Sequence, residues 1–276
     1  MSRRTASTAL AALLALLGST LLAGCGALPG GPSGGPERAR PTPVTTPGPA
    51  LYSDVAARMA EERTATFVFS GVGGGETLSG QGAMRFTDGS FDADVTLTMS
   101  ETGRVRAVLL PSASYLALPA AKGLPRAKPW MKVSLRPRTR LGRTLTPVVD
   151  QIRTAFDPEG SLGLLRAARR VEEVGPATVE DVSTTQYHAV LDLRRATAQV
   201  DGATKDQFQS MLDAGVTALE YDIWVDVNGL PRRFSADIPT TSGLYSVTGI
   251  YRDWGRKVSI AAPKAKQLFD ADKLKG

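Results

Sequence analysis

From Thr64 onward the dominant period of the chain is two. Phe67 and Phe69 alternate with Thr66, Val68 and Ser70. Leu78, Gly80, Gly82, Met84 and Phe86 fall on one side of their segment, and Phe91, Ala93, Val95, Leu97 and Met99 alternate with Asp92, Asp94, Thr96 and Thr98. Successive side chains on a strand point to opposite faces, so each run is a strand with one apolar and one wet face. Glycine-bearing pairs punctuate the runs: Gly71 to Gly75, Asp88-Gly89, Thr102-Gly103, Asn228-Gly229 and Ser242-Gly243. They supply the positive φ of tight hairpins, which makes the sheet an antiparallel meander. Further strands are expected at 104–110, 114–118, 130–135, 171–178, 184–193, 217–227, 230–238, 244–254 and 257–261. A sheet of that size must curl or split.

Three stretches change period. Leu51, Val55 and Met59 recur at helical spacing, and the helix should end near Arg63. Leu145, Val148, Val149, Ile152 and Phe156, then Leu162, Leu164, Leu165 and Ala168, read as two helices over 144–170, and 204–214 reads as another. Helices inserted in a meander need an apolar surface to cover. The expected fold is therefore α+β: a large curved antiparallel β-sheet, a half-barrel of about 11 strands, with helices packed on its concave face.

Ahead of the sheet lies an export signal. Arg3 and Arg4 precede an apolar run from Ala6 to Leu22, and Leu22-Ala23-Gly24-Cys25 fits the small-residue junction at which a lipoprotein signal peptidase exposes an acylated cysteine. An uncleaved anchor fits less well, because Gly18, Ser19 and Thr20 interrupt a run barely long enough to span. Residues 26–50 then hold seven prolines and six glycines, a composition that cannot bury a core. As a flexible coil this tether spans roughly 25 to 30 Å. The expected organisation is signal peptide 1–24, lipidated Cys25 and tether to 50, and one domain over 51–276. It sits at the extracytoplasmic face of the cell membrane, held by the lipid on Cys25.

Cys25 is the single cysteine and His188 the single histidine of the chain. A thiol protease, a Cys/His metal centre and a disulfide oxidoreductase are therefore excluded. Gly-x-Ser-x-Gly occurs only at Gly31-Pro32-Ser33-Gly34-Gly35, inside the Pro/Gly-rich stretch and not at a strand-to-helix turn, and the glycines at 71–75 lack the Lys and Ser/Thr of a phosphate loop. The paired acids Asp92 and Asp94 fall on the polar side of their strand. No enzyme activity, cofactor or metal is expected. Ten basic residues and no acid occupy 102–149. Export makes nucleic acid an improbable partner for them, which leaves anionic lipid headgroups or plain solvation. Arg126, Lys128, Arg136, Arg138, Arg140 and Arg143 are the membrane-contact candidates.

Several local patterns share an order along the chain: Lys128-Pro129-Trp130-Met131-Lys132-Val133, Tyr187-His188-Ala189-Val190-Leu191-Asp192-Leu193, Tyr221-Asp222-Ile223-Trp224-Val225-Asp226-Val227-Asn228-Gly229-Leu230-Pro231-Arg232-Arg233-Phe234, and Tyr251-Arg252-Asp253-Trp254-Gly255. In this order, behind a lipobox, they resemble the actinobacterial lipoproteins of the LppX/LprG type, whose fold is related to the lipoprotein carrier LolA. The resemblance spans residues 51–262. It implies an apolar cavity between sheet and helices that holds the acyl chains of a lipid or glycolipid in the cell envelope. Phe67, Phe69, Met84, Phe86, Phe91, Val95, Leu97, Met99, Tyr221, Ile223 and Val225 are the residues expected to line it, with Gly80 and Gly82 leaving room. The periodicity alone is equally met by a filled core, in which case the protein is a surface interaction or sensory lipoprotein that contacts another envelope protein.

Overall fold

The computed structural model describes residues 45–73, 75–87, 90–100, 103–117, 128–156, 158–168, 170–200, 202–240 and 243–270. The signal, Cys25, most of the tether and Arg126 lie outside the described residues. In chain order the elements are β1 (Thr45–Thr46), α1 (Gly48–Glu62), β2 (Thr64–Gly73), β3 (Glu76–Thr87), β4 (Ser90–Met99), β5 (Gly103–Leu109), β6 (Ala113–Ala117), β7 (Trp130–Ser134), α2 (Arg140–Phe156), α3 (Pro158–Ala167), β8 (Val171–Val179), β9 (Val182–Asp192), α4 (Leu193–Thr197), α5 (Gly202–Asp213), β10 (Ala218–Asp226), β11 (Pro231–Thr240), β12 (Gly243–Arg252) and β13 (Leu268–Asp270).

All the strands join one open, curved sheet in the order β1-β8-β9-β10-β11-β12-β2-β3-β4-β5-β6-β7-β13. From β2 at the centre the chain meanders to the β7 edge. It crosses by α2 and α3 to the far edge at β8, then meanders back until β12 pairs with β2. That crossover explains the helices in mid-chain. Every pairing is antiparallel except β13 on β7.

One row shows how consistently the sheet separates its faces. Tyr251, Phe67, Gly82, Val95, Ala107, Leu116, Met131 and Phe269 are successive partners across eight strands. All are on the inner face, which the helices cover. Leu51, Val55 and Met59 of α1 join Leu162 and Leu165 of α3 and Phe208 of α5 over β9 and β10. Leu145, Val149 and Ile152 of α2 cover β4 to β7. Each such side chain fully buried contributes about 1.5–3 kcal/mol.

The described fold differs from the sequence expectation at four places. The helix expected from Leu51 begins at Gly48, and Thr45–Thr46 already pair with β8, so the ordered domain starts inside the expected tether. Pro47 and Pro49 do not oppose this, since the first turn of a helix has no N–H to lose. Gly48 is required there because the carbonyl oxygens of Leu165 and Ala168 occupy the place of a Cβ, which lets α1 lie directly on α3. The sheet has 13 strands rather than about 11, the additions being the short edges β1 and β13. Residues 257–261 are not a strand. They form an extended strap across the outer face, where Val258 and Ile260 pack on Val108, Ala113 and Tyr115 before β13 reaches the free edge of β7. Finally, the short helix α4 follows β9 directly, its N-terminus capped by the Asp192 carboxylate, which accepts a bond from the Arg195 amide.

Candidate functional site: an apolar trough on the inner face

The eleven candidate lining residues lie on the inner face but divide between two clusters. Tyr221, Ile223 and Val225 belong to the core under α1, α3 and α5. Phe67, Met84, Phe91, Val95 and Leu97 belong to the core under α2, with Phe69 and Met99 at its margin. Phe86 touches both clusters, as do Phe234 and Trp254. Burial pushes the Tyr221 phenol well above its ordinary pKa, with Tyr251 and Asp222 adding to the effect, so that this tyrosine is a neutral core residue.

Gly80 and Gly82 do not leave empty space. Phe69 is paired with Gly80 and Phe67 with Gly82, and each ring lies over its partner glycine. Phe234 covers Gly249 in the same manner, and Tyr245 covers Gly71 and Gly73. Four rings thus lean from β11, β12 and β2 onto the next strand. They belong to a wider aromatic array. Phe156, at the end of α2, sits 5.6 Å from Phe67 and 5.2 Å from Phe69, while Trp254 lies 5.6 Å from Tyr251 and 6.0 Å from Phe86. Such offset and edge contacts add about 0.5–1.5 kcal/mol each beyond area burial.

The helices leave one part of the inner face incompletely covered. α2 runs from the β7 edge inward, with Arg153 bonded to Leu110 and Ser114 beside β6 and over Phe91 of β4, and Phe156 reaching β2. α1 runs on the other side, its Arg58 bonded to the Asn228 carbonyl beyond β10. Between them, toward the β2–β3 and β11–β12 hairpins, Phe69, Leu78, Met99, Ile238, Tyr245 and Val247 all point inward yet are only half-buried. They form an apolar trough. Its floor is formed by the Tyr245 ring over Gly71 and Gly73 and the Phe69 ring over Gly80. The row was legible only in part: Phe69 and Met99 are sequence candidates, whereas Leu78, Ile238, Tyr245 and Val247 become site residues through register alone.

The other singled-out residues are structural. Asp226 anchors the β10–β11 hairpin, its carboxylate accepting bonds from the Asn228 and Leu230 amides and from Arg232. His188 faces outward, 3.1 Å from the Asp222 carboxylate that Gln186 also contacts. Asp92 pairs with Arg85 and Asp94 with Arg106, both on the outer face, away from the trough. The guanidinium of Arg106 lies over Trp130 and that of Arg233 over Trp224. Lys128, Arg136, Arg138, Arg140 and Arg143 are all exposed, the last four gathered around the start of α2. No helix among the described residues is long and apolar enough to cross a membrane.

No family model matches the chain. An uncharacterised 31.2 kDa protein of Streptomyces griseus is 28% identical over 208 residues, covering 72% of this chain and 67% of that protein. Among solved structures, the Mycobacterium tuberculosis lipoprotein LppX is similar over 77% of this chain and 99% of its own, at 15% identity and a TM-score of 0.46. LprF of Mycobacterium bovis is similar over 78% and 96%, at 10% identity and a TM-score of 0.49.

Proposed function

We propose that this protein is a lipid-anchored envelope lipoprotein whose inner-face trough receives the acyl chains of a lipid or glycolipid. The observation that carries the proposal is the row of inward-pointing apolar side chains that no helix fully covers. Half-buried Leu78, Ile238 and Val247 gain about 25 cal/mol per Å2 when an acyl chain removes them from water. The trough offers hydrocarbon contact and no array of polar groups for covalent chemistry, so the protein acts by holding its ligand and not by transforming it. The lipid on Cys25 keeps it at the membrane that supplies such ligands, and the arginines at the start of α2 face anionic headgroups.

A second reading is favoured by one observation. The rings of Phe67 and Phe69 fill the space over Gly82 and Gly80, as a closed core would, which suits a surface interaction or sensory lipoprotein without cargo. Organic extraction of the protein purified from its own envelope, followed by mass spectrometry, decides between the readings. A stoichiometric acyl lipid supports the carrier; a lipid-free protein that also fails to take up added fatty-acyl probe overturns it. The anchor is tested separately by Cys25→Ser, which releases the chain from the membrane fraction and abolishes fatty-acid labelling.

A further inference from the structure

One polar group stands among the apolar side chains of the trough. The Tyr245 ring lies along two glycines of β2: its Cδ2 takes the place of a side chain at Gly73, and its hydroxyl oxygen comes within 2.6 Å of where a Cβ of Gly71 would be. Gly71 belongs to the transverse row Val247, Gly71, Leu78 and Met99, successive partners across β12, β2, β3 and β4. Val247, Leu78 and Met99 are half-buried side chains of the open part. The hydroxyl therefore sits in mid-row, with hydrocarbon on both sides. Ile238, the partner of Tyr245 on β11, adds an apolar side chain behind the ring.

This hydroxyl has no hydrogen-bond partner among the described residues. The indole N–H of Trp254, the other polar edge of the aromatic array near the trough, donates to the Pro231 carbonyl. A half-buried phenol keeps its bond to water only while the trough is open; a ligand that covers it must supply an acceptor or forfeit that bond. Burial raises the Tyr245 phenol above its ordinary pKa, so it keeps its proton and can donate. Glu76 stands opposite Gly73 on β3 and accepts a bond from the Ser100 hydroxyl. A ligand carboxylate brought to Gly71 would meet that like charge, whereas an ester carbonyl would not.

We propose that Tyr245 positions the ligand: its hydroxyl donates to an ester carbonyl oxygen of an acyl lipid whose chains lie over Val247, Leu78 and Met99. The proposal rests on the acyl-binding reading of the trough and adds the chemical class of the ligand, an ester-linked lipid as opposed to a free fatty acid or a bare hydrocarbon. In an apolar site a single placed donor fixes which part of the ligand rests where.

The experiment uses the full lipidated protein reconstituted in vesicles of dialkyl-ether phosphatidylcholine, which carry no ester. Two pyrene-labelled probes are compared, a diacylglycerol and its dialkyl-ether analogue, which differ in the ester carbonyls. Uptake is read as energy transfer from the tryptophans of the protein. Comparison of wild type with Tyr245→Phe in one bilayer cancels the partition of each probe, and the ester-to-ether ratio within one preparation is unaffected by a fraction of unfolded protein. Wild type is expected to bind the ester probe about three- to tenfold more tightly than the ether. Tyr245→Phe, which keeps the ring over Gly71 and Gly73, is expected to remove that advantage by weakening the ester probe alone. A wild type without ester preference, a preference that survives in Tyr245→Phe, or equal weakening of both probes overturns the proposal, the last because a merely structural ring acts on both. Uptake of neither probe by wild type overturns the carrier reading as well, whereas uptake of both with one affinity sinks the hydroxyl contact alone.

Discussion

Phe67 on β2 and Gly82 on β3 stand directly opposite each other, and the phenyl ring occupies the volume that a side chain at Gly82 would need. A Cβ at this glycine would lie 2.7 Å from the ring and 2.6 Å from the Asp94 carbonyl oxygen, which belongs to the backbone and cannot swing away. Gly82→Ala is expected to cost about 1–3 kcal/mol from overpacking. Phe67→Ala is expected to cost about 3–5 kcal/mol from the lost ring. Urea unfolding monitored by circular dichroism measures both. An unchanged midpoint for Gly82→Ala would show that the ring does not rest on the glycine.

Asp226 is 6% exposed and accepts two backbone amides as well as Arg232. Asp226→Ala leaves those donors unsatisfied in a buried turn, with an expected loss of about 3 kcal/mol. Amide exchange should rise first at Asn228 and Leu230, because their acceptor is gone. Loss spread evenly over the sheet would point to a different role for this carboxylate.

The trough and the packed core respond in opposite ways to added bulk. Val247 is half-buried where the helices part, whereas Ile223 is 1% exposed beneath α1 and α3. Val247→Trp is expected to leave stability nearly unchanged and reduce co-purifying lipid, and Ile223→Trp to cost about 1–3 kcal/mol through strain. Thermal unfolding and lipid quantification on one preparation of each variant test this. Equal destabilisation by the two changes would mean that position 247 is packed as tightly as 223.

Arg140 and Arg143 sit in the first turn of α2, which contains no acidic residue. Cations are unfavourable at the positive end of a helix, so Arg140→Glu with Arg143→Glu should raise stability by a few tenths to about 1 kcal/mol per site. The same change should weaken attachment to anionic vesicles and flatten its salt dependence. Vesicle flotation at two ionic strengths, alongside thermal unfolding, reads both effects. Absence of salt-dependent binding in wild type would reduce the cluster to a solvated surface.

Much of the fold was legible because its signals are local. The alternation around Phe67, Met84 and Val95 gave β2 to β4, the glycine pairs gave the hairpins, and the spacing of Leu145, Val149 and Ile152 gave α2. The misreadings occurred where a distant partner decides the outcome. Residues 257–261 have a strand-like pattern, but no neighbouring edge pairs with them, so Val258 and Ile260 pack on the outer face instead. Thr45–Thr46 read as tether, yet the exposed edge of β8 gives them a partner.

The candidate site divides along the same line. By itself the sequence determined that one face of a large antiparallel sheet is apolar, that Phe67, Leu97 and Ile223 lie on it, and that one cysteine is the sole thiol, because side-chain period and composition depend only on neighbours along the chain. Which part of that face stays open was decided by tertiary structure. Gly80 and Gly82 resemble vacancies until the register sets Phe69 and Phe67 over them. Val247 and Ile238 resemble any core residues until the paths of α1 and α2 leave them half-buried. Cross-strand register and helix placement are properties of segments far apart in the chain, and no local pattern carries them.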